Sequence, residues 1–211
     1  MPVFRSGAGL APEWCELEYF EIIDLPAGTA HRFDRLGAKE KLVVADGRVR
    51  VASDGRAADT DAGACIDLQT ANGRFEVEAV YADAKLVRMC GRWGDEVGGC
   101  GLFAAEPAEE TQTGGDPVPY SRNTAVDNHY HDCDEYWIIL QGHGLAVSEG
   151  RTYEVGPGDC VATGMGHHHD LPRLLEPLRL LYFETTLEGR KRSGHLWNHT
   201  HGQAEPKPER V

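Results

Sequence analysis

Asp127-Asn128-His129-Tyr130-His131-Asp132-Cys133-Asp134-Glu135-Tyr136-Trp137-Ile138-Ile139-Leu140-Gln141-Gly142 is the stretch that decides the fold. On an extended strand alternate side chains share a face, so the odd-numbered His129, His131 and Glu135 point the same way. Two imidazoles and a carboxylate then sit in one patch. Further on, the turn Gly156-Pro157-Gly158-Asp159 leads through a short apolar run to Gly164-Met165-Gly166-His167-His168-His169, which can deliver another imidazole. Two segments distant in sequence converge on one ion.

These segments resemble the two motifs of the cupin superfamily. The first, H-x-H-x3-E-x6-G, is matched by His129, His131, Glu135 and Gly142, and the second, G-x5-P-x-G-x2-H, by Gly158, Gly166 and His169. Three positions depart from the pattern: Asn123 and Gly164 stand where a glycine and a proline are expected, and Arg173 replaces an asparagine. The departures touch turns and strand ends and leave the ligands intact. The resemblance implies a jelly-roll (double-stranded β-helix) barrel with one divalent transition metal on His129, His131, Glu135 and His169. It also implies a homodimer, since cupins commonly pair through edge strands.

Outside the motifs, the 211 residues suffice for one large domain or two small ones, and 41% hydrophobic with 26% charged residues is ordinary globular composition. Thirty-four acidic against 21 basic side chains give a net charge of -13, which repels phosphate backbones and excludes nucleic acid as a partner. The first residues lack a signal peptide's basic start and apolar core, and no apolar run is long enough to cross a bilayer, so a cytoplasmic protein without membrane contact is expected. The six cysteines form no C-x-x-C pair and read as buried thiols.

Short strands are expected at 16–25, 41–52, 64–68, 74–81 and 85–90, separated by turns such as Pro26-Ala27-Gly28 and Ser53-Asp54-Gly55. Such spacing without helical periodicity indicates an all-β barrel. This first half resembles, weakly, a degenerate cupin: His31-Arg32-Phe33 stands where an H-x-H would be and Glu40-x6-Gly47 echoes the end of the first motif, but Phe33 cannot ligate. The expected organisation is therefore two tandem cupin barrels, residues 1–104 without a metal and 105–197 with one, followed by a polar tail at 198–211. Residues 94–119, rich in Gly, Glu and Pro, read as linker. Strands at 120–126, 144–148, 151–155, 160–162 and 178–186 complete the second barrel, and the tail, with its His199-x-His201, reads as fraying.

Three neutral imidazoles and one carboxylate bind Mn, Fe, Co, Ni, Cu or Zn as a dication while cancelling only part of its charge. An ion that prefers six ligands keeps two adjacent positions for a small substrate with neighbouring oxygens. Chelation there lowers the pKa of a bound hydroxyl, or of the carbon acid beside a bound carbonyl. This suits proton shuttling between carbons, lyase chemistry or activation with oxygen, and the ligand set does not choose among them; the leading expectation is isomerisation or epimerisation of a carbohydrate-like compound. The same ligand set also serves dioxygenase cleavage, non-catalytic sensing, or a structural ion. Trp137 and Ile139, on the ligand face, are candidates for the substrate-binding wall, and Cys133 shares that face. Tyr182 and Glu184 on the last strand are candidates for a general acid/base pair, and His167, in parity with His169, for a further acid/base; both faces of the last strand look apolar, so which set lines the pocket stays open.

Overall fold

The computed structural model describes residues 3–7, 11–68, 73–108 and 114–211. The described residues are all-β apart from one turn of helix. Contacts divide the chain into two compact units, Leu17–Arg92 together with residues 6–7, and Trp93–Val211 together with residues 3–5 and 11–16. Among the described residues no helix is long and apolar enough to cross a membrane.

After β1 (Val3–Arg5), the first unit contains β2 (Leu17–Leu25), β3 (Ala30–Asp34), β4 (Lys39–Asp46), β5 (Arg48–Ser53), β6 (Arg56–Asp61), β7 (Cys65–Asp67), β8 (Arg74–Ala79) and β9 (Ala84–Gly91). They form two four-stranded antiparallel sheets, ordered β2-β9-β4-β7 and β3-β8-β5-β6. Alternation writes the second sheet: in β8, Phe75, Val77 and Ala79 are buried while Arg74 faces water. Leu42, Val44, Val49, Phe75, Val77 and Leu86 pack between the sheets as the core. The expected strand at 41–52 is two strands in different sheets. Gly47, at φ +80, turns the corner where an added Cβ would stand 2.7 Å from the Asp83 carbonyl. β3 and β6 were not foreseen, because both are largely exposed and lack an apolar stripe.

The second unit contains β10 (Val97–Ala105), β11 (Glu135–Gln141), β12 (Gly144–Ser148), β13 (Arg151–Val155), β14 (Asp159–Thr163), β15 (His169–Leu174), β16 (Leu178–Thr186) and the short α1 (Asn198–His201). With β1 they form a five-stranded sheet, β1-β14-β11-β16-β10, and a three-stranded one, β13-β12-β15. Ile139, Val155, Leu171, Leu174, Leu178 and Leu180 are among the side chains that fill the core.

Three expectations for this half are corrected. The linker reading of 94–119 fails at its start, since β10 pairs with β16 along its length, and the division of the chain falls at Trp93 rather than near residue 105. Residues 109–113 lie outside the described residues. The glycines that suggested a linker are there for packing: a Cβ on Gly98 would stand 2.5 Å from Glu184 Oε2, and one on Gly101 would stand 3.0 Å from the Tyr182 hydroxyl. No strand forms at 120–126, where Asn123 instead exchanges side-chain bonds with Leu174 and Thr124 donates to the Leu171 carbonyl. The tail is docked along its length. The Asp116 carboxylate accepts the Asn198 amide at 2.7 Å, Lys207 N–H donates to the Met165 carbonyl, and Arg210 reaches the buried Asp134 at 2.8 Å. Gly164 and Gly166 leave room for it: a Cβ on either would collide with Arg210 or Glu205.

Candidate metal centre and cavity

His129 and His131 precede β11, Glu135 opens it, and His169 opens β15. Antiparallel bridges pair His129 with His169 and Tyr130 with Leu196, so two distant segments meet at the ligands. One donor atom from each of His129, His131, Glu135 and His169 lies within 4.8 Å of the others, and all four side chains are buried. Among the described residues no comparable group lies in the first unit. His31 there is exposed, and Glu40 is buried in an ion pair with Arg88.

The hydrogen bonds around the imidazoles set their chemistry. His129 Nδ1 faces the Asp127 carbonyl at 2.9 Å, His131 Nδ1 the Gly194 carbonyl at 3.0 Å and His169 Nδ1 the His167 carbonyl at 3.2 Å. A carbonyl only accepts, so each Nδ1 carries the proton and each Nε2 turns a lone pair inward. His129 Nε2 and His131 Nε2 are buried with no hydrogen-bond partner. His169 Nε2 and His131 Nε2 stand 2.5 Å and 3.3 Å from Glu135 Oε2. Lone pair against lone pair is repulsive unless a cation stands between, so the residues fit a metal ion. Burial pushes Glu135 up, yet His131 and His169 hold it well below the usual carboxylate range, while Glu135 raises His131 despite the opposing effect of burial. His129 goes the other way: burial and the imidazoles of His169 and His131 hold it well below its ordinary value, which favours its neutral form.

Residues that face away from the ligands build the support. Asp132 binds Arg192 through its side chain and backbone amide, at 2.8 to 3.0 Å, which draws in the loop after β16. That loop delivers the Gly194 carbonyl to His131 and the ring of His195 to His129, stacked at 3.6 Å and 4°. Asp127 fixes the stack, taking His195 Nδ1–H at 2.8 Å and Trp197 Nε1–H at 2.5 Å. Burial raises Asp127, but these bonds and its neighbouring imidazoles hold it low. Asp134 accepts the Met165 amide at 2.8 Å and so anchors the loop leading to His169. Orientation of ligands by such outer partners is what keeps a metal site in one geometry.

The centre opens into a cavity of about 300 Å³, whose wall includes Phe103, Trp137, Leu171, Leu180 and Tyr182 and whose polar end is His129, Glu135, Glu184 and His195. Register settles which face of β16 looks inward: Glu184 lies opposite Glu135, and Tyr182 opposite Trp137. Glu184 Oε1 is 3.9 Å from His131 Nδ1, and burial raises its carboxyl although His131 opposes this. Of the sequence candidates, Trp137, Tyr182 and Glu184 meet at the cavity. Ile139 does not; it is fully buried in the barrel core. Cys133 lies behind the wall, grouped with His131 and Glu184, its thiol pushed up by burial. His167 is turned away, its Nδ1 2.6 Å from Glu149 and its Nε2 2.7 Å from the Lys207 carbonyl, which leaves no edge for acid/base work in the cavity. His195 was missed. It sits in an irregular loop, and only the long-range bond to Asp127 gives it a role.

No family model matches the chain. A Sinorhizobium fredii protein described as uncharacterised protein y4oW is 47% identical over 211 residues, covering 100% of this chain and 97% of that protein. Among solved structures, a mutant of Bacillus subtilis oxalate decarboxylase matches with TM-score 0.59 at 11% identity, over 84% of this chain and 70% of that one. Escherichia coli YhaK matches with TM-score 0.56 at 14% identity, over 88% and 93%. At such identities the structural likenesses carry the fold alone.

Proposed function

Because the chain belongs to the family of the Sinorhizobium fredii protein y4oW and has the cupin fold, we propose that it is a metal-dependent enzyme that moves a proton on a small oxygen-bearing metabolite, as in isomerisation or epimerisation. The observation that carries this reading is the set of inward Nε2 lone pairs around Glu135, beside a cavity that holds a second carboxyl, Glu184. A divalent transition metal held by His129, His131, Glu135 and His169 would supply a Lewis acid for two adjacent substrate oxygens. Glu184 takes or returns the proton through its carboxylate, on the side of the cavity that faces the ligands. Tyr182, beside it, is a hydrogen-bonding partner for the substrate. Asp127 holds the His195 ring flat on His129, and Trp137 with Leu171 keeps water from the reacting end.

A second reading is favoured by one observation. The wall is mostly apolar, which suits oxygen-dependent cleavage of a less polar substrate better than it suits a sugar. Incubation with a simple α-hydroxy ketone in deuterated water, once without air and once with it, separates the two. Metal-dependent deuterium wash-in that is lost in Glu184→Gln supports proton transfer. Turnover only with oxygen uptake supports the dioxygenase, and binding without either outcome refutes both.

The first unit, in this proposal, is a cupin barrel without a metal centre. Its two antiparallel four-stranded sheets support this, as does Glu40, whose carboxylate is taken up by Arg88.

A further inference from the structure

Resting on the proposed metal chemistry, we infer that the substrate of this site is a compact molecule with one chelating, oxygen-bearing head and an apolar body, carrying neither phosphate nor a run of hydroxyls. The cavity, at about 300 Å³, is at the small end of ligand sites, which run from roughly 300 to 1,000 Å³. Its polar groups are gathered at one end, where His129, Glu135, Glu184 and His195 surround the ligand positions. The body of a bound molecule meets Phe103, Val126, Trp137, Leu171, Leu180 and the ring of Tyr182. Hydroxyls placed against Phe103, Val126, Leu171 and Leu180 lose their water without gaining partners, which lowers affinity. Among the described residues no Lys or Arg lines the cavity, and its two acidic side chains are Glu135 and Glu184. A phosphate would therefore meet anionic groups with no compensating cation, in a chain of net charge -13. A single anionic head is tolerated only where the metal stands.

Three α-hydroxy acids share the chelating head and differ in the body: 2-hydroxy-4-methylpentanoate is apolar, gluconate is polyhydroxylated, and 3-phosphoglycerate is phosphorylated. Calorimetric titration of each into the full-length, manganese-loaded protein, after its metal content has been measured, reads the body alone. The first should bind at least about tenfold tighter than the other two. Phe103 is 40% exposed, so Phe103→Lys adds a cation at the wall without disturbing the core; it should weaken the apolar ligand and strengthen 3-phosphoglycerate by about tenfold or more. Equal affinities, a preference for gluconate or 3-phosphoglycerate, or no binding by any of the three to metal-loaded protein would overturn the inference while leaving the metal reading in place. A wild-type protein that retains no manganese would overturn the metal reading and the inference with it.

Discussion

Arg210→Met tests whether the C-terminal tail is part of the site's support. Arg210 Nη1 is 2.8 Å from Asp134 Oδ1 and Nη2 is 2.7 Å from Glu188 Oε1, with the Asp134 side chain 0% exposed and that of Arg210 17%. Removing one partner of a buried pair costs about 3–5 kcal/mol, because the other charge is left without compensation. Arg210 keeps some contact with water, which puts the expected loss near the lower end, about 3 kcal/mol. Methionine preserves the packing of the stem, so the loss reads the charge. A domain of this size loses ~2–4 °C of Tm per kcal/mol, so the transition of metal-stripped protein should fall by roughly 6–12 °C. Urea unfolding of Arg210→Met, Asp134→Asn and the double variant closes the cycle, and the double should be less destabilised than the sum of the singles by about 1 kcal/mol or more. A single variant within about 0.5 kcal/mol of wild type, the range of ordinary surface changes, would refute the argument.

Glu40→Ala should destabilise the first unit by about 3–5 kcal/mol, since Arg88 is buried against it, yet leave metal content unchanged; a loss of metal on elemental analysis would contradict the assignment of the centre to the second unit. Gly98→Ala should displace Glu184, whose Oε2 lies 2.5 Å from the new methyl, costing about 1–3 kcal/mol in urea unfolding while the metal is retained; wild-type stability would mean that the glycine is not a packing requirement. Burial raises Asp116, but bonds from the Asn198 amide, His199 and His168 hold it below its ordinary value. Its contribution is therefore complete above about pH 4 and lost as pH falls through the lowered value. Asp116→Asn should be less stable than wild type at pH 7, with the gap closing in acid; a gap that widens as pH falls would contradict this sign.

The clustering of His129, His131, Glu135 and His169 was legible because a carboxylate and two imidazoles of one parity, joined by a turn to a later histidine, leave few alternatives. The ladder itself begins only at Glu135, and the bridge between Tyr130 and Leu196 holds the preceding histidines in line. Composition misled at β10, where Val97-Gly98-Gly99-Cys100-Gly101 looks like a spacer but is a strand whose missing side chains make room for Tyr182 and Glu184. The tail misled for the opposite reason. Its polarity suggested fraying, but its anchors, Asp116 and Asp134, lie 82 and 76 residues away in sequence from the groups they hold. The inward face of β16 could not be read from parity, because both faces are apolar. The register against β11 decides it. His195 depends on tertiary contacts from Asp127 and His129 that no local pattern encodes.

Elemental analysis of untagged, full-length protein beside its alanine variants tests the central claim most directly. One equivalent of a divalent transition metal per chain is expected for wild type, His31→Ala and His199→Ala, and its loss for His131→Ala and Glu135→Ala. A wild type without metal, or a Glu135→Ala variant that keeps its full equivalent, would contradict the account.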